Sequence, residues 1–164
     1  ANNARYFYDN DRINSSENVG ITGDSSRSMW CWVKTTVTSL KHIIGWGTNT
    51  SARYFALSIL NDGNVGVYFY NTTYQKSSGV FVSDGDWHFV GVTYDSTNSK
   101  IYFYVDGEWI EESMSYNLNT ADSQLFFAKF AYTDFYTQCS IDDFGLTDTV
   151  LTRNDFDLLY NGLI

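Results

Sequence analysis

At 164 residues the chain is long enough to bury roughly 70% of the surface of its unfolded form in one core, and residues 1–164 are read as a single domain. Nineteen acidic against ten basic residues leave a net charge of −9, which excludes the basic stripe of a nucleic-acid surface. No run approaches the roughly 18 consecutive apolar residues of a membrane span, so membrane insertion is not expected.

Aromatic residues make up 18% of the chain and proline is absent, which suits pleated strands joined by Gly, Asn, Asp and Ser turns. Ala4–Tyr8 reads as a first strand, and Asp9 to Asn18 as a polar loop. Ser28–Thr35 is a long strand with Trp30 and Trp32 on one face and Met29, Cys31 and Val33 on the other. His42–Trp46 and Arg53–Leu60 follow. Asn61-Asp62-Gly63-Asn64 then turns the chain into Val65–Tyr70. Asn71–Ser78 is read as a loop and Gly79–Ser83 as a short extended piece. Two alternating runs follow, Trp87-His88-Phe89-Val90-Gly91-Val92-Thr93-Tyr94 and Ile101-Tyr102-Phe103-Tyr104-Val105, the second ending at Asp106-Gly107. Trp109–Glu112 answers that turn, and Gln124–Ala131 and Cys139–Leu146 are the last strands. Thr152 is placed as the N-cap of a short helix with Asp155 and Asp157 in its first turns and Gly162 at its stop. Phe156, Leu159 and Tyr160 share its apolar face. About eleven strands and one helix predict an all-β, two-sheet antiparallel sandwich.

The wording Asp84-Gly85-Asp86-Trp87-His88, then Val90-Gly91-Val92-Thr93-Tyr94-Asp95, then Tyr104-Val105-Asp106-Gly107 resembles the laminin-G-like, concanavalin A-like lectin-glucanase superfamily. Ile141-Asp142-Asp143-Phe144-Gly145-Leu146 and Leu159-Tyr160-Asn161-Gly162 resemble its closing strand and helix. The resemblance implies a jelly roll, in a superfamily that holds sugar-binding modules, adhesion domains, pentraxin-like lectins and glycoside hydrolases. It also implies that Asp142 helps to hold a structural calcium together with backbone oxygens near the N-terminus; Asp9 and Asp11, in the loop after the first strand, are taken as further ligands. Period two puts Asp142 in phase with Phe144 and Leu146, so an inward carboxylate needing a partner is expected.

Glycoside hydrolysis needs two carboxylates flanking the scissile bond, which hydrolytic relatives carry as Glu-x-Asp-x-x-Glu. Here the only glutamates are Glu17, Glu108, Glu111 and Glu112, and Glu108-Trp109-Ile110-Glu111 follows a hairpin turn without the intervening Asp. No catalytic residue is therefore assigned. His88 reads as a hydrogen-bonded core-edge residue, and His42 has no carboxylate within reach in sequence. Cys31 and Cys139 are either paired across neighbouring strands or two separate buried thiols.

Metal-free sugar binding uses aromatic faces against pyranose rings. The candidates are Tyr70, Tyr74, Trp109, Tyr116, Tyr132, Phe135 and Tyr136, with Asp134 among the last three. The leading reading is a non-catalytic recognition module that binds a glycan, in an extracellular or virion-surface protein. The alternative is a structural, adhesion, or phage tail or capsid decoration domain contacting protein, followed by a degenerate hydrolase.

Overall fold

The computed structural model describes residues 4–8, 11, 13–69, 75–129 and 136–164. Among them are twelve strands: β1 (Arg5–Phe7), β2 (Ile13–Asn18), β3 (Arg27–Lys34), β4 (Lys41–Gly47), β5 (Tyr54–Ile59), β6 (Asn64–Tyr68), β7 (Gln75–Phe81), β8 (Trp87–Asp95), β9 (Lys100–Val105), β10 (Glu108–Ser113), β11 (Gln124–Phe127) and β12 (Cys139–Thr147). One helix, α1 (Arg153–Tyr160), follows. The strands form two six-stranded antiparallel sheets, ordered β1-β12-β3-β8-β9-β10 and β2-β11-β4-β5-β6-β7.

The jelly-roll expectation holds, with two local corrections. The loop expected over residues 9–18 contains β2, an edge strand paired only with β11. Its Asn-Ser-Ser-Glu-Asn sequence carries no hydrophobic alternation because an edge strand needs little apolar surface, and Ile13 alone anchors it to the core. The second expected loop, over residues 71–78, gives way to β7 from Gln75 onward.

Alternation fills the space between the sheets. Met29, Cys31 and Val33 of β3 and Val90 and Val92 of β8 meet Trp46 of β4 and Phe55, Leu57 and Ile59 of β5, all fully buried. Cys31 and Cys139 are both free thiols in this core, which settles the disulfide alternative against pairing. Burial pushes the Cys31 thiol well above its usual range.

The outer face of the first sheet is also apolar, and α1 covers it. The Thr152 hydroxyl accepts from the Asp155 N–H, and the Asp155 carboxylate accepts from the Thr152 N–H at 2.7 Å, completing a capping box. Phe156 packs against Phe89 and Tyr104, with Trp30, Trp32, Trp109 and Tyr160 around them.

His88 ties two turns together. Its Nδ1 lies 2.6 Å from Asp106 Oδ2 and its Nε2 3.0 Å from Asp84 Oδ1, while Asp106 Oδ1 accepts from the Phe89 N–H at 2.8 Å. Partial burial works against the charged ring, but hydrogen bonds and charge from Asp106 and Asp84 outweigh it and raise the His88 pKa. A raised folded value means that this stabilisation is full below the ordinary 6.5 and is lost as pH rises through the folded value. Asp84 is held below its ordinary value, first by the Asp86 N–H and then by His88, so its share is lost only in acid. The melting-temperature gap between wild type and His88→Gln is therefore expected to be wider near pH 5.5 than near pH 8.5. A gap that is flat or grows with pH would remove the charged clamp.

Candidate functional site

The site is built around an irregularity in β12. Ile141 pairs with Val33 and Asp142 with Trp32, and then the register jumps so that Gly145 pairs with Trp30 and Leu146 with Met29. Three steps along β12 thus match two along β3, an inserted residue that reverses the inside-outside phase. Asp143, at φ 45°, takes up the left-handed turn that the bulge requires. Asp142 therefore shares the outer face with Trp32, opposite the face of Leu146, and Phe144 is 50% exposed. The inward placement of Asp142 expected from period two is overturned by this one extra residue.

Gly145 follows the bulge for a steric reason. A Cβ there would lie 2.0 Å from Cζ2 of Trp30, so only glycine lets the indole lie across β12. Trp32 stacks on Tyr160 of α1 at 5.6 Å and 27° and meets Phe89 edge-on at 5.5 Å. These residues, with Asp143, Phe144 and Leu159, line an open groove of about 490 Å³ between β12 and the end of α1. On the far side of Phe144 a second hollow, about 230 Å³, is lined by Arg5, Phe7, Ile13, Phe127 and Asp142 at the mouth between the sheets. Asp143 and Phe144 line both, and Phe144 packs edge-on to Phe127 at 4.7 Å. Partly exposed aromatic faces beside a carboxylate suit a ligand with one apolar and one hydroxylated side.

The residues expected from sequence are dispersed. Asp9, Tyr70, Tyr74, Tyr132, Asp134 and Phe135 lie outside the described residues. Tyr116 and Tyr136 are half-buried, and Tyr136 bridges Lys129. Trp109 is half-buried on the outer face of the first sheet, stacked on Tyr102 at 5.1 Å and packed against Phe156, so it supports the helix and does not line the groove. The sequence carries the shared face of Trp30 and Trp32 but no local signal that joins them to Asp143, Phe144 and Tyr160.

Of the carboxylates expected at a calcium, Asp142 and Asp11 are described and Asp9 is not. Asp142 Oδ1 accepts from the Asp143 N–H at 3.0 Å, and Arg5 lines the same hollow. No group of three His, Cys, Asp or Glu side chains that could hold a metal occurs among the described residues. Asp11 accepts from the Tyr8 N–H at 3.1 Å.

Among the described residues, the hairpin glutamates form no acid–base pair. Glu108 and Glu111 lie on opposite faces of β10 by strand alternation, and Glu111 is paired with Lys100 at 2.6 Å. His42 is buried, with Nδ1 2.7 Å from the Ser58 hydroxyl and its ring against Tyr54 and Tyr68. Burial, helped by Lys41, pushes its pKa down to about 3, so it stays neutral.

Residues 8–155 match the family described as the concanavalin A-like lectin/glucanases superfamily. The chain belongs to this superfamily. No curated protein matches it. Among solved structures, the superfamily fold recurs in the Ruminococcus gnavus IT-sialidase CBM40 bound to α2,3-sialyllactose, at 16% identity and TM-score 0.69 over 90% of this chain and 98% of that one. Mouse laminin α1 domains LG4-5 are similar at 16% identity and TM-score 0.68, covering 94% of this chain and 44% of that one. The receptor-binding domain of botulinum neurotoxin D is similar at 18% identity and TM-score 0.70, over 99% and 46%. This chain thus spans under half the length of the laminin and toxin chains. At these identities the likeness describes the fold.

Proposed function

We propose that this superfamily member is a non-catalytic recognition module that binds a glycan in the groove between β12 and α1, as part of an extracellular or virion-surface protein. The observation that carries the reading is the groove itself, whose lining brings Trp30, Trp32 and Phe144 together with Asp143. The sialyllactose-bound CBM40 supports it by analogy of fold alone. No described helix is long and apolar enough to cross a bilayer.

The experiment is a glycan array followed by calorimetric titration of the best ligand. Phe144→Ala is expected to weaken binding about tenfold, roughly 1–2 kcal/mol, while moving the melting temperature little because the ring is half exposed. No reducing sugar should be released from any bound glycan. Binding that is indifferent to both Phe144→Ala and Trp32→Ala moves the site elsewhere. The protein-contacting alternative has its own observation: Tyr6 and Tyr8 are 47% and 65% exposed at the β1 edge of the first sheet. Retention of a protein partner that depends on Tyr6 and Tyr8, with no glycan bound, would favour adhesion.

A further inference from the structure

We infer that the groove selects neutral glycans and discriminates against carboxylated ones, an inference that rests on the glycan reading above. Asp143 is the charged side chain lining the groove. The adjoining hollow adds Asp142 and Arg5, so the two spaces together present two carboxylates against one guanidinium. Arg5 lies over the Phe7 ring at 5.8 Å, on the far side of Phe144 from the groove. Lys34 shares the outer face but pairs with Ser140, two residues before Asp142, and lines neither space. The whole chain adds a background of −9.

The state of Asp143 gives this charge a use. Its N–H is committed to Asp142, but its carboxylate accepts from no described residue. Both oxygens are open to donors, and an ionised carboxylate only accepts. Adjacent sugar hydroxyls can donate to the two oxygens while the ring's C–H face lies on Trp32 or Phe144. A sugar carboxylate in the same place offers no donor and brings like charge into contact. Asp143 lines both hollows, and asparagine tolerates its left-handed backbone as well as aspartate does.

The test is calorimetric titration with matched probes, a neutral oligosaccharide found on the array and its sialylated and glucuronate-bearing counterparts. The neutral member is expected to bind at least tenfold more tightly. Raising ionic strength from about 0.01 M to about 1 M, which shortens the screening length from about 30 Å to about 3 Å, should narrow that gap. Asp143→Asn should narrow it at least threefold, because the neutral probe loses one acceptor oxygen and the carboxylated probes lose the like charge. Equal or tighter binding of the carboxylated probes, or a gap unmoved by salt and by Asp143→Asn, overturns the inference and leaves the glycan reading standing. Failure of both kinds of probe to bind overturns the glycan reading and this inference with it.

Discussion

Arg27→Ala is expected to lower the melting temperature by roughly 10 °C, the effect of a loss of about 3–5 kcal/mol in a domain of this size. Arg27 is fully buried at the start of β3, on the same inward face as Met29, Cys31 and Val33. Its Nε donates to the Ser25 carbonyl at 2.7 Å, one terminal nitrogen to the Thr120 hydroxyl at 2.8 Å and the other to the Gly23 carbonyl at 3.0 Å. Trp46, Phe55 and Tyr94 surround the guanidinium at 5.3–5.9 Å, placing ring faces against the cation. Burial lowers its pKa to about 10, with Tyr94 and Asp24 pulling the other way, so it stays charged at neutral pH.

The cage closes one mouth of the sandwich. Asp24 accepts from the Tyr94 hydroxyl and from the Leu118 N–H, and Gly23 and Thr120 exchange backbone hydrogen bonds. Truncation at Arg27 leaves two carbonyls and a hydroxyl without their donor, opens a cavity, and removes the cation near Asp24. Arg27→Lys keeps the charge but not the planar fork, and should recover less than half of the loss. Chemical denaturation of the three proteins checks this. A loss under about 1 kcal/mol for the alanine variant would show that the cage is replaceable by water.

What was legible in the sequence was whatever depended on neighbours along the chain. Thr152 and Asp155 are three residues apart, so the capping box could be read directly. Asp106-Gly107 joins β9 to β10, and both residues have positive φ as a tight hairpin demands. The β12 reading failed because alternation assumes an unbroken register, and one residue inserted at Asp143 reverses it without a compositional trace. The groove was illegible for another reason. Its walls come from residues near positions 30, 89, 143 and 160, brought together only when β3 lies between β12 and β8 and α1 folds back over them. Buried Arg27 reads in sequence as an ordinary surface charge, since nothing local announces three facing rings.

Gly91→Val is expected to undo helix docking, costing about 2–4 kcal/mol and abolishing binding in the groove. Gly91 sits mid-strand in β8, paired with Trp30 on one side and Tyr104 on the other, where a β-branched residue would ordinarily suit a strand. A Cβ there would lie 2.3 Å from Cε1 of Phe156, a ring with no exposed surface that stacks on Tyr104 at 5.4 Å and meets Trp30 edge-on at 6.5 Å. Valine must therefore push α1 off the sheet or turn Phe156 out of its pocket. Either movement displaces Tyr160, and Trp32 loses its stacking partner. The sheet itself should persist, because its core face is untouched and valine favours the strand. Far-UV circular dichroism should thus keep its β signature while tryptophan fluorescence shifts toward that of exposed indole and glycan titration goes flat. Phe156→Ala should partly rescue Gly91→Val, since it removes the ring that the new methyls strike. Additive losses in that double variant would mean that the glycine serves something other than the helix.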